Sequence, residues 1–290
     1  MAVRLLRTAR HAVLGRARIK PERASWRPPR ASAPPPCPPG WQTGPPDFIG
    51  VGSQKSGTSW WFSLLNAHPE VQAQAEKELR ALIAFRDPTS ADAHAYARWF
   101  PRPRGKQIGE WTPAYMACPW IGRAIVVCAP EAKLLATVRD PVERFRSGVP
   151  QWRKYHSGDL GDAKREDDRA RRQALRRGFY GEQLTRLAES VRRERILVLQ
   201  YERCARDPRR EFAKTLDFLG LSPWEPADEL LERRFAAIAV KEELSEEERQ
   251  RLVEAYIPDV RVLQSFAPDL DLSLWPNFAS MATQRAAAPG

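Results

Sequence analysis

The sequence predicts an α/β fold in which a mainly parallel β-sheet is flanked by helices on both faces. Two observations lead to this prediction. Short apolar runs, typical of buried strands, alternate along the chain with stretches that have the period of an amphipathic helix. The chain is also 290 residues long, which is enough for one large α/β domain with a substantial core.

The predicted elements can be placed in order along the chain. Strands are expected at "DFIGVGS", "KQIGEW", "KLLATVRD" and "RILVLQYE", which begin at Asp47, Lys106, Lys133 and Arg195. Helices are expected from Thr58 up to Pro69 and at "PWIGRAIVVCAPEA", "PVERFRSGVPQW", "GEQLTRLAESVRRE" and "PRREFAKTLDFLGL". The segment from His156 to Arg177 is too polar to be expected in the core. It is predicted to be a solvated helix or loop, with a lid over a nearby site as the alternative.

Composition divides the chain into three parts: a basic, proline-rich tail and linker over 1–46, a folded domain over 47–280, and a flexible tail over 281–290. The net charge is +11, and residues 1–30 contain nine arginines and lysines but one acid. This surplus is expected to attract anions or simply to aid solubility, and no nucleic-acid partner is predicted. The amino-terminal segment is predicted to be a disordered tail or a basic amphipathic helix in peripheral contact with a membrane.

No apolar stretch approaches the roughly 20 residues of a membrane span, and arginines interrupt every candidate signal-peptide core. We therefore expect a cytoplasmic protein, with association at a membrane surface as the alternative. The four cysteines lack the spacing of a zinc site or of a disulfide framework, which fits a reducing compartment.

The stretch "GSQKSGTSWW" follows the first predicted strand and opens the first helix, so the fold class is expected to be P-loop-NTPase-like. A glycine turn of this kind holds a phosphate on backbone N–H groups and the helix dipole. Gly52 and Gly57 have the spacing of a nucleotide-triphosphate loop. Thr58, however, stands where that loop has its lysine, and the lysine comes earlier, at Lys55. A kinase or NTPase is therefore disfavoured, because its lysine must reach the β- and γ-phosphates.

"QKSGTSW" resembles the 5′-phosphosulfate loop of sulfotransferases that use 3′-phosphoadenosine 5′-phosphosulfate (PAPS). "LLATVRDPVERFRSG" resembles the 3′-phosphate motif of the same family, with Arg139 followed eight residues later by Ser147. "HPEVQAQAEKELRAL" and "IGEWTPAYM" are similar to segments of the heparan-sulfate and carbohydrate sulfotransferase branch, and the resemblance runs from Phe48 to about Phe278. The residue composition suggests a bacterial member with a GC-rich genome.

This resemblance implies an enzyme that transfers the sulfuryl group of PAPS to a hydroxyl of a carbohydrate, glycolipid or small metabolite, without a metal. The product would be adenosine 3′,5′-bisphosphate. Glu78 is the implied general base, and Lys55 would stabilise the leaving group. Trp111 replaces the lysine of the family's G-E-K motif, which favours a sugar face or an apolar acceptor over a polyanionic glycan.

The remaining implied site residues fall into two groups. The donor would be bound by Lys55, Ser56, Gly57, Thr58, Ser59, Trp60, Arg139, Ser147 and Tyr180, and the acceptor by Lys77, Glu110 and Trp111. His68 is predicted to be structural. Two alternatives to the sulfotransferase stay open: a non-catalytic protein that binds a nucleotide or another polyanion on the same fold, and a P-loop kinase.

Overall fold

The computed structural model describes residues 33–74, 76–156, 161–232 and 240–281. Most of the predicted basic tail and residues 282–290 lie outside these ranges. In the described part of the chain, the predicted parallel sheet is confirmed. It contains β2 (Phe48–Gly52), β4 (Gly109–Trp111), β5 (Lys133–Val138) and β6 (Ile196–Gln200), all parallel, in the order β4-β2-β5-β6. A separate antiparallel pair joins β1 (Gln42–Thr43) to β3 (Pro101–Arg102), so regular structure begins before the predicted boundary at residue 47.

Helices connect and cover these strands. In chain order they are α1 (Thr58–Ala67), α2 (Ala81–Ala84), α3 (Ser90–Ala97), α4 (Ile121–Cys128), α5 (Pro141–His156), α6 (Ala163–Arg176), α7 (Tyr180–Ala188), α8 (Tyr201–Arg206), α9 (Pro208–Leu219), α10 (Asp228–Glu232) and α11 (Glu246–Phe266). All the helices predicted from the sequence are present. Each strand lies within its predicted run, but β4 is shorter than expected because pairing with β2 covers only three residues.

The two faces of the sheet bury different side chains because side chains alternate along a strand. Ile49 and Leu134 belong to a core with α4, α5, α7 and α11, whereas Phe48 and Leu135 belong to a second core with α1 and α9. The sheet is therefore covered on both faces, as predicted. The carboxyl ends of its strands meet at one edge, where a ligand site is expected in an open α/β sheet.

The prediction that residues 156–177 stay out of the core is wrong for α6. This helix buries Ala170, Gln173, Ala174 and Leu175. The two alanines are one turn apart and form a narrow apolar stripe. The segment also contains many arginines, so its average composition is polar although one stripe is buried.

Candidate active site

The loop between β2 and α1 forms one wall of the site. Gly57 is the N-cap of α1 and has a left-handed backbone, with φ 77°. A β-carbon at Gly57 would lie 2.6 Å from the ring of Tyr201, so both the backbone conformation and the close contact require glycine. In the described chain no side chain caps α1, which leaves its first N–H groups and its helix dipole available to an anion.

An open cleft lies over this loop, at the carboxyl edge of the sheet. Most of the predicted site residues meet there, including the loop lysine, the predicted base and both residues of the predicted 3′-phosphate motif. The lining residues are Gln54, Lys55, Gly57, Thr58, Ser59, Trp60, Lys77, Glu78, Pro113, Arg139, Ser147, Gln151 and Tyr201.

Lys55 lies at the centre of a cationic region. Its carbonyl oxygen accepts a hydrogen bond of 3.3 Å from Arg139 Nη1. Burial lowers the pKa of the Lys55 ammonium, and the positive charges of Arg139 and Arg144 lower it further. Because these cations repel one another, an anion bound between Lys55 and Arg139 would relieve the repulsion and raise the pKa of Lys55.

Arg139 follows β5 directly and is held from two sides. Its guanidinium carbon lies 5.2 Å from the centroid of the Tyr201 ring. The next residue, Asp140, is buried and caps α5 by accepting hydrogen bonds from the amides of residues 142 and 143. Asp140 also accepts a hydrogen bond of 2.8 Å from Asn277 Nδ2. The carboxy-terminal part of the chain therefore fixes the turn that presents Arg139.

Ser147 supplies a test of whether a phosphate fits beside Arg139. Its side chain lines the cleft although the residue is only 1% exposed. In the described part of the chain, Ser147 Oγ has no hydrogen-bond partner. A buried hydroxyl without a partner costs about 1–3 kcal/mol. A phosphate bound to Arg139 would accept a hydrogen bond from this hydroxyl, so the residues present fit a donor that carries a 3′-phosphate.

Glu78 also lines the cleft. Its carboxylate accepts hydrogen bonds of 3.3 Å from Lys77 Nζ and 3.0 Å from Arg80 Nη2. Burial by itself would raise the pKa of Glu78, but the charges and hydrogen bonds of Lys77 and Arg80 outweigh burial and lower it. Glu78 is therefore ionised at neutral pH and able to accept a proton. Lys77 lines the cleft too, and burial lowers the pKa of its ammonium despite the nearby Glu78.

Three of the predicted donor-binding residues are almost completely buried. Trp60 lines the cleft but is only 2% exposed, and its indole N–H donates to the Leu230 carbonyl. Ser56 is fully buried, and its hydroxyl lies 2.7 Å from that of Ser53. Tyr180 is fully buried outside the cleft, and burial raises the pKa of its phenol to about 12. The structure therefore gives the Ser56 and Tyr180 side chains no surface on the cleft.

The structure does not support direct acceptor contacts by Glu110 and Trp111. Both side chains are fully buried, and neither lines the cleft. The Trp111 indole lies against Gly50, and its N–H donates to the Gly52 carbonyl at 3.1 Å. The Trp111 side chain, at the position of the family's lysine, thus packs in the core beneath the sheet and does not form a sugar-binding surface.

His68 is structural as predicted, because its ring forms hydrogen bonds with backbone groups of residues 70 and 222.

Sequence reasoning missed Gln54, Pro113, Gln151 and Tyr201 as cleft residues. Two of them follow a simple signal. Tyr201 comes directly after β6, at the same sheet edge as Arg139 after β5. Gln151 is one helical turn beyond Ser147 on α5 and so faces the same direction.

Among the described residues, no group of three or more histidine, cysteine, aspartate or glutamate side chains has the arrangement of a metal site. Each described helix is too short or too polar to cross a bilayer.

A sulfotransferase-domain family model matches residues 45–243. The chain belongs to the sulfotransferase domain family. Its relatives include the membrane-associated sulfotransferase kil1 of Dictyostelium discoideum, 33% identical over 35% of this chain and 22% of the relative. They also include the human heparan sulfate glucosamine 3-O-sulfotransferase 6, 29% identical over 61% of this chain and 52% of the relative. The matches thus span about half or less of these curated relatives.

The fold is similar to that of a solved sulfotransferase from Alicyclobacillus acidocaldarius. The TM-score is 0.58 at 24% identity, over 79% of this chain and 98% of that one. This likeness supports the α/β architecture described above.

Proposed function

We propose that this protein transfers the sulfuryl group of PAPS to a hydroxyl of a carbohydrate, glycolipid or small metabolite. The proposal depends on one observation: a single cleft is lined by the loop lysine Lys55, by Glu78, by Arg139 and by Ser147, whose hydroxyl has no partner among the described residues. A phosphate-binding loop by itself would fit many nucleotides. A second phosphate site at Arg139 and Ser147 favours a 3′,5′-bisphosphate nucleotide.

Donor binding would use both sides of the loop. Backbone amides over residues 56–59, with the Thr58 and Ser59 hydroxyls, would hold the 5′-phosphate at the start of α1. Arg139 and Ser147 would hold the 3′-phosphate, and the small part of Trp60 that lines the cleft would contact the nucleoside. PAPS supplies an activated sulfuryl group when it is bound.

Two of the charged residues of the cleft, Glu78 and Lys55, would then carry the chemistry. Glu78 accepts the proton of the acceptor hydroxyl, a role that is typically worth 10²–10⁴-fold in rate. Lys55 stabilises the negative charge that develops on the departing phosphate oxygen. The ammonium of Lys55 has three N–H groups, and one of them can donate a hydrogen bond to this oxygen.

The names of the relatives support a carbohydrate among the acceptor classes, because several are heparan sulfate glucosamine 3-O-sulfotransferases. Lys77 is the candidate acceptor contact that lines the cleft, and Gln151 of α5 lines it as well.

The cytoplasmic location and the peripheral membrane contact through the basic amino-terminal segment also belong to this proposal. Cell fractionation with and without residues 1–32 tests them.

Transfer of label from PAPS to a panel of hydroxyl acceptors tests the activity. We expect Glu78→Ala to lower turnover by about 10²–10⁴-fold while the affinity for adenosine 3′,5′-bisphosphate stays within about threefold of the parent, since Glu78 acts on the acceptor. Glu131→Ala, an exposed carboxylate outside the cleft, is the matched control.

Three other outcomes would contradict parts of the proposal. Full activity of Glu78→Ala would exclude Glu78 as the base. Tight bisphosphate binding without transfer to any acceptor would favour a non-catalytic polyanion-binding protein. Thermal stabilisation by ATP with magnesium, but not by the bisphosphate, would favour a kinase.

A further inference from the structure

The chain segment that presents Glu78 is attached to a buried carboxylate beneath it, and we propose that Glu110 and Thr112 are positioning residues for Glu78. This inference rests on the proposed role of Glu78 as the base. It gives Glu110 a part in the reaction that differs from the acceptor contact expected from the sequence.

Glu110 is the centre of a closed hydrogen-bond network. Glu110 is fully buried, and three hydroxyl groups donate hydrogen bonds to its carboxylate. Tyr96 and Tyr115 bond to Oε1 at 2.5 and 2.8 Å, and Thr112 bonds to Oε2 at 2.7 Å. All three hydroxyl-bearing residues are fully buried as well. A cluster of this kind has few alternative arrangements. No water can replace a lost partner, so each buried polar atom must keep its hydrogen bond.

Two of these hydroxyls also hold the segment next to Glu78. Thr112 Oγ1 accepts a hydrogen bond of 3.2 Å from the Arg80 amide, and Tyr115 Oη accepts one of 3.3 Å from the Leu82 amide. A hydroxyl has one proton, and here that proton points to Glu110. The lone pairs of Thr112 and Tyr115 are therefore directed at the two backbone amides. Glu110 thus fixes the direction of both hydroxyls.

The segment needs such external contacts because its backbone is strained. Glu78 and Arg80 are non-glycine residues with φ of 63° and 55°, in the left-handed region. Each residue held there costs on the order of 1 kcal/mol or more. The bond from Thr112 is made to one of these two strained residues. Leu79 and Leu82, buried on either side, anchor the same segment to the core.

The consequence for catalysis is geometric. The Glu78 carboxylate is attached to the segment that Thr112 holds, and Arg80, which bonds to Glu78 Oε2, is the residue whose amide Thr112 binds. If the bond to Thr112 is lost, the left-handed turn can relax and move both Glu78 and its cationic partner. A displacement of about 1 Å at a catalytic group can cost 10²-fold in rate.

Thr112→Val is the direct test, because valine keeps the shape of threonine and removes the hydroxyl. We expect kcat to fall about tenfold or more, with the affinity for adenosine 3′,5′-bisphosphate and the KM for PAPS within about twofold of the parent. Thr215→Val is the matched control. Thr215 is equally buried, and its hydroxyl also accepts a hydrogen bond from an N–H, that of Trp61, at 3.1 Å.

Tyr115→Phe and Tyr96→Phe provide a second comparison that does not depend on Thr112→Val folding well. Both remove one hydroxyl from Glu110, but only Tyr115 also binds the Leu82 amide. We expect the larger loss of kcat in Tyr115→Phe. Equal kcat values for these two variants, or a kcat of Thr112→Val equal to that of Thr215→Val, would overturn the proposal.

The Glu78→Gln background separates this inference from the function on which it rests. If Thr112 acts through Glu78, Thr112→Val causes no further loss of kcat once Glu78 is glutamine. A full additional loss in the double variant would contradict the positioning role while leaving Glu78 as the base. If Glu78→Gln itself retains full activity, the proposed base is wrong instead.

Discussion

Ser147 is the residue whose surroundings say most about the kind of ligand that the cleft would bind. Its hydroxyl is buried, faces the cleft and has no partner in the described chain. The serine hydroxyl at this position therefore lowers the stability of the free protein. Its hydrogen bond would be gained when a phosphate binds beside Arg139.

We expect Ser147→Ala to weaken binding of adenosine 3′,5′-bisphosphate by about 1.5–3 kcal/mol, the range for a hydrogen bond to a charged group. The free energy of unfolding without ligand should rise by up to about 1–3 kcal/mol, because the variant removes a buried hydroxyl that has no partner among the described residues. Calorimetric titration and denaturant unfolding measure the two quantities. Affinity for adenosine 5′-monophosphate, which lacks the 3′-phosphate, should stay unchanged in the variant. An equal loss for both nucleotides would argue against a 3′-phosphate contact.

The charge around Glu78 leads to a prediction about pH. Lys77 and Arg80 lower the pKa of the Glu78 carboxyl below its usual range, so a base at this position stays active into mildly acidic solution. Arg80→Met removes one of the two cations and keeps the backbone amide that Thr112 binds. The pKa of Glu78 should rise, and the acid limb of the kcat/KM profile should move to higher pH. The same profile in Arg98→Met, an exposed arginine directly after α3, should match the parent. An unmoved acid limb in Arg80→Met would mean that this limb reports another group.

At the scale of elements, the unit formed by β2, the loop and α1 depends on a glycine for two separate reasons. Gly57 and Gly105 both have a left-handed backbone, with φ of 77° and 81°. A β-carbon at Gly57 would collide with the Tyr201 ring, whereas a β-carbon at Gly105 would meet nothing within 4 Å. The pair thus separates backbone strain from steric overlap.

Gly57→Ala and Gly105→Ala should both lower the free energy of unfolding, by about 1 kcal/mol for the left-handed backbone alone. Gly57→Ala should lose more, by a further 1–3 kcal/mol that is typical of overpacking. It should also weaken bisphosphate binding, because the Tyr201 ring that it displaces supports Arg139. Unfolding in urea and calorimetric titration give both numbers. Equal stability losses would show that the Tyr201 ring moves away at no cost.

At the scale of the whole molecule, buried carboxyl groups set how stability depends on pH. Burial raises the pKa of Asp259 to about 7, although the amides of Gly181 and Glu182 bond to its carboxylate. Burial also raises the pKa of Glu202 to about 7, against hydrogen bonds from the Asp140 amide and the Trp275 indole. Both groups bind protons more tightly in the folded state than in the unfolded chain.

The free energy of unfolding should therefore be highest below about pH 4–5 for these two groups and should fall as the pH rises through about 7. Each contributes at most about 1.4 kcal/mol per unit of pKa shift. Denaturant unfolding at a series of pH values from 5 to 8 measures the slope. Asp259→Asn should flatten it, since asparagine does not titrate, whereas Asp228→Asn, an exposed site, should not. A slope that is unchanged in Asp259→Asn would exclude this carboxyl as its source.

The order of strands and helices along the chain could be predicted from the sequence, because apolar period and glycine placement are local features. The loop at Lys55 and the pair of Arg139 and Ser147 were predicted from motifs that resemble those of the sulfotransferases. Most of the cleft residues were predicted from the same resemblance. The length of β4 was not, because the extent of a strand depends on its neighbour in the sheet.

Which polar and aromatic side chains face the cleft depends on the tertiary structure. Glu110 and Trp111 are adjacent in sequence, yet they point to opposite faces of the sheet, where one binds three hydroxyls and the other packs beneath Gly50. The surroundings of Glu78 were equally hidden, because Thr112 is distant in sequence and reaches the Arg80 amide only through the fold. The physical reason is the same in each case: burial and hydrogen-bond partners depend on contacts between segments far apart in the chain, and no local pattern records those contacts.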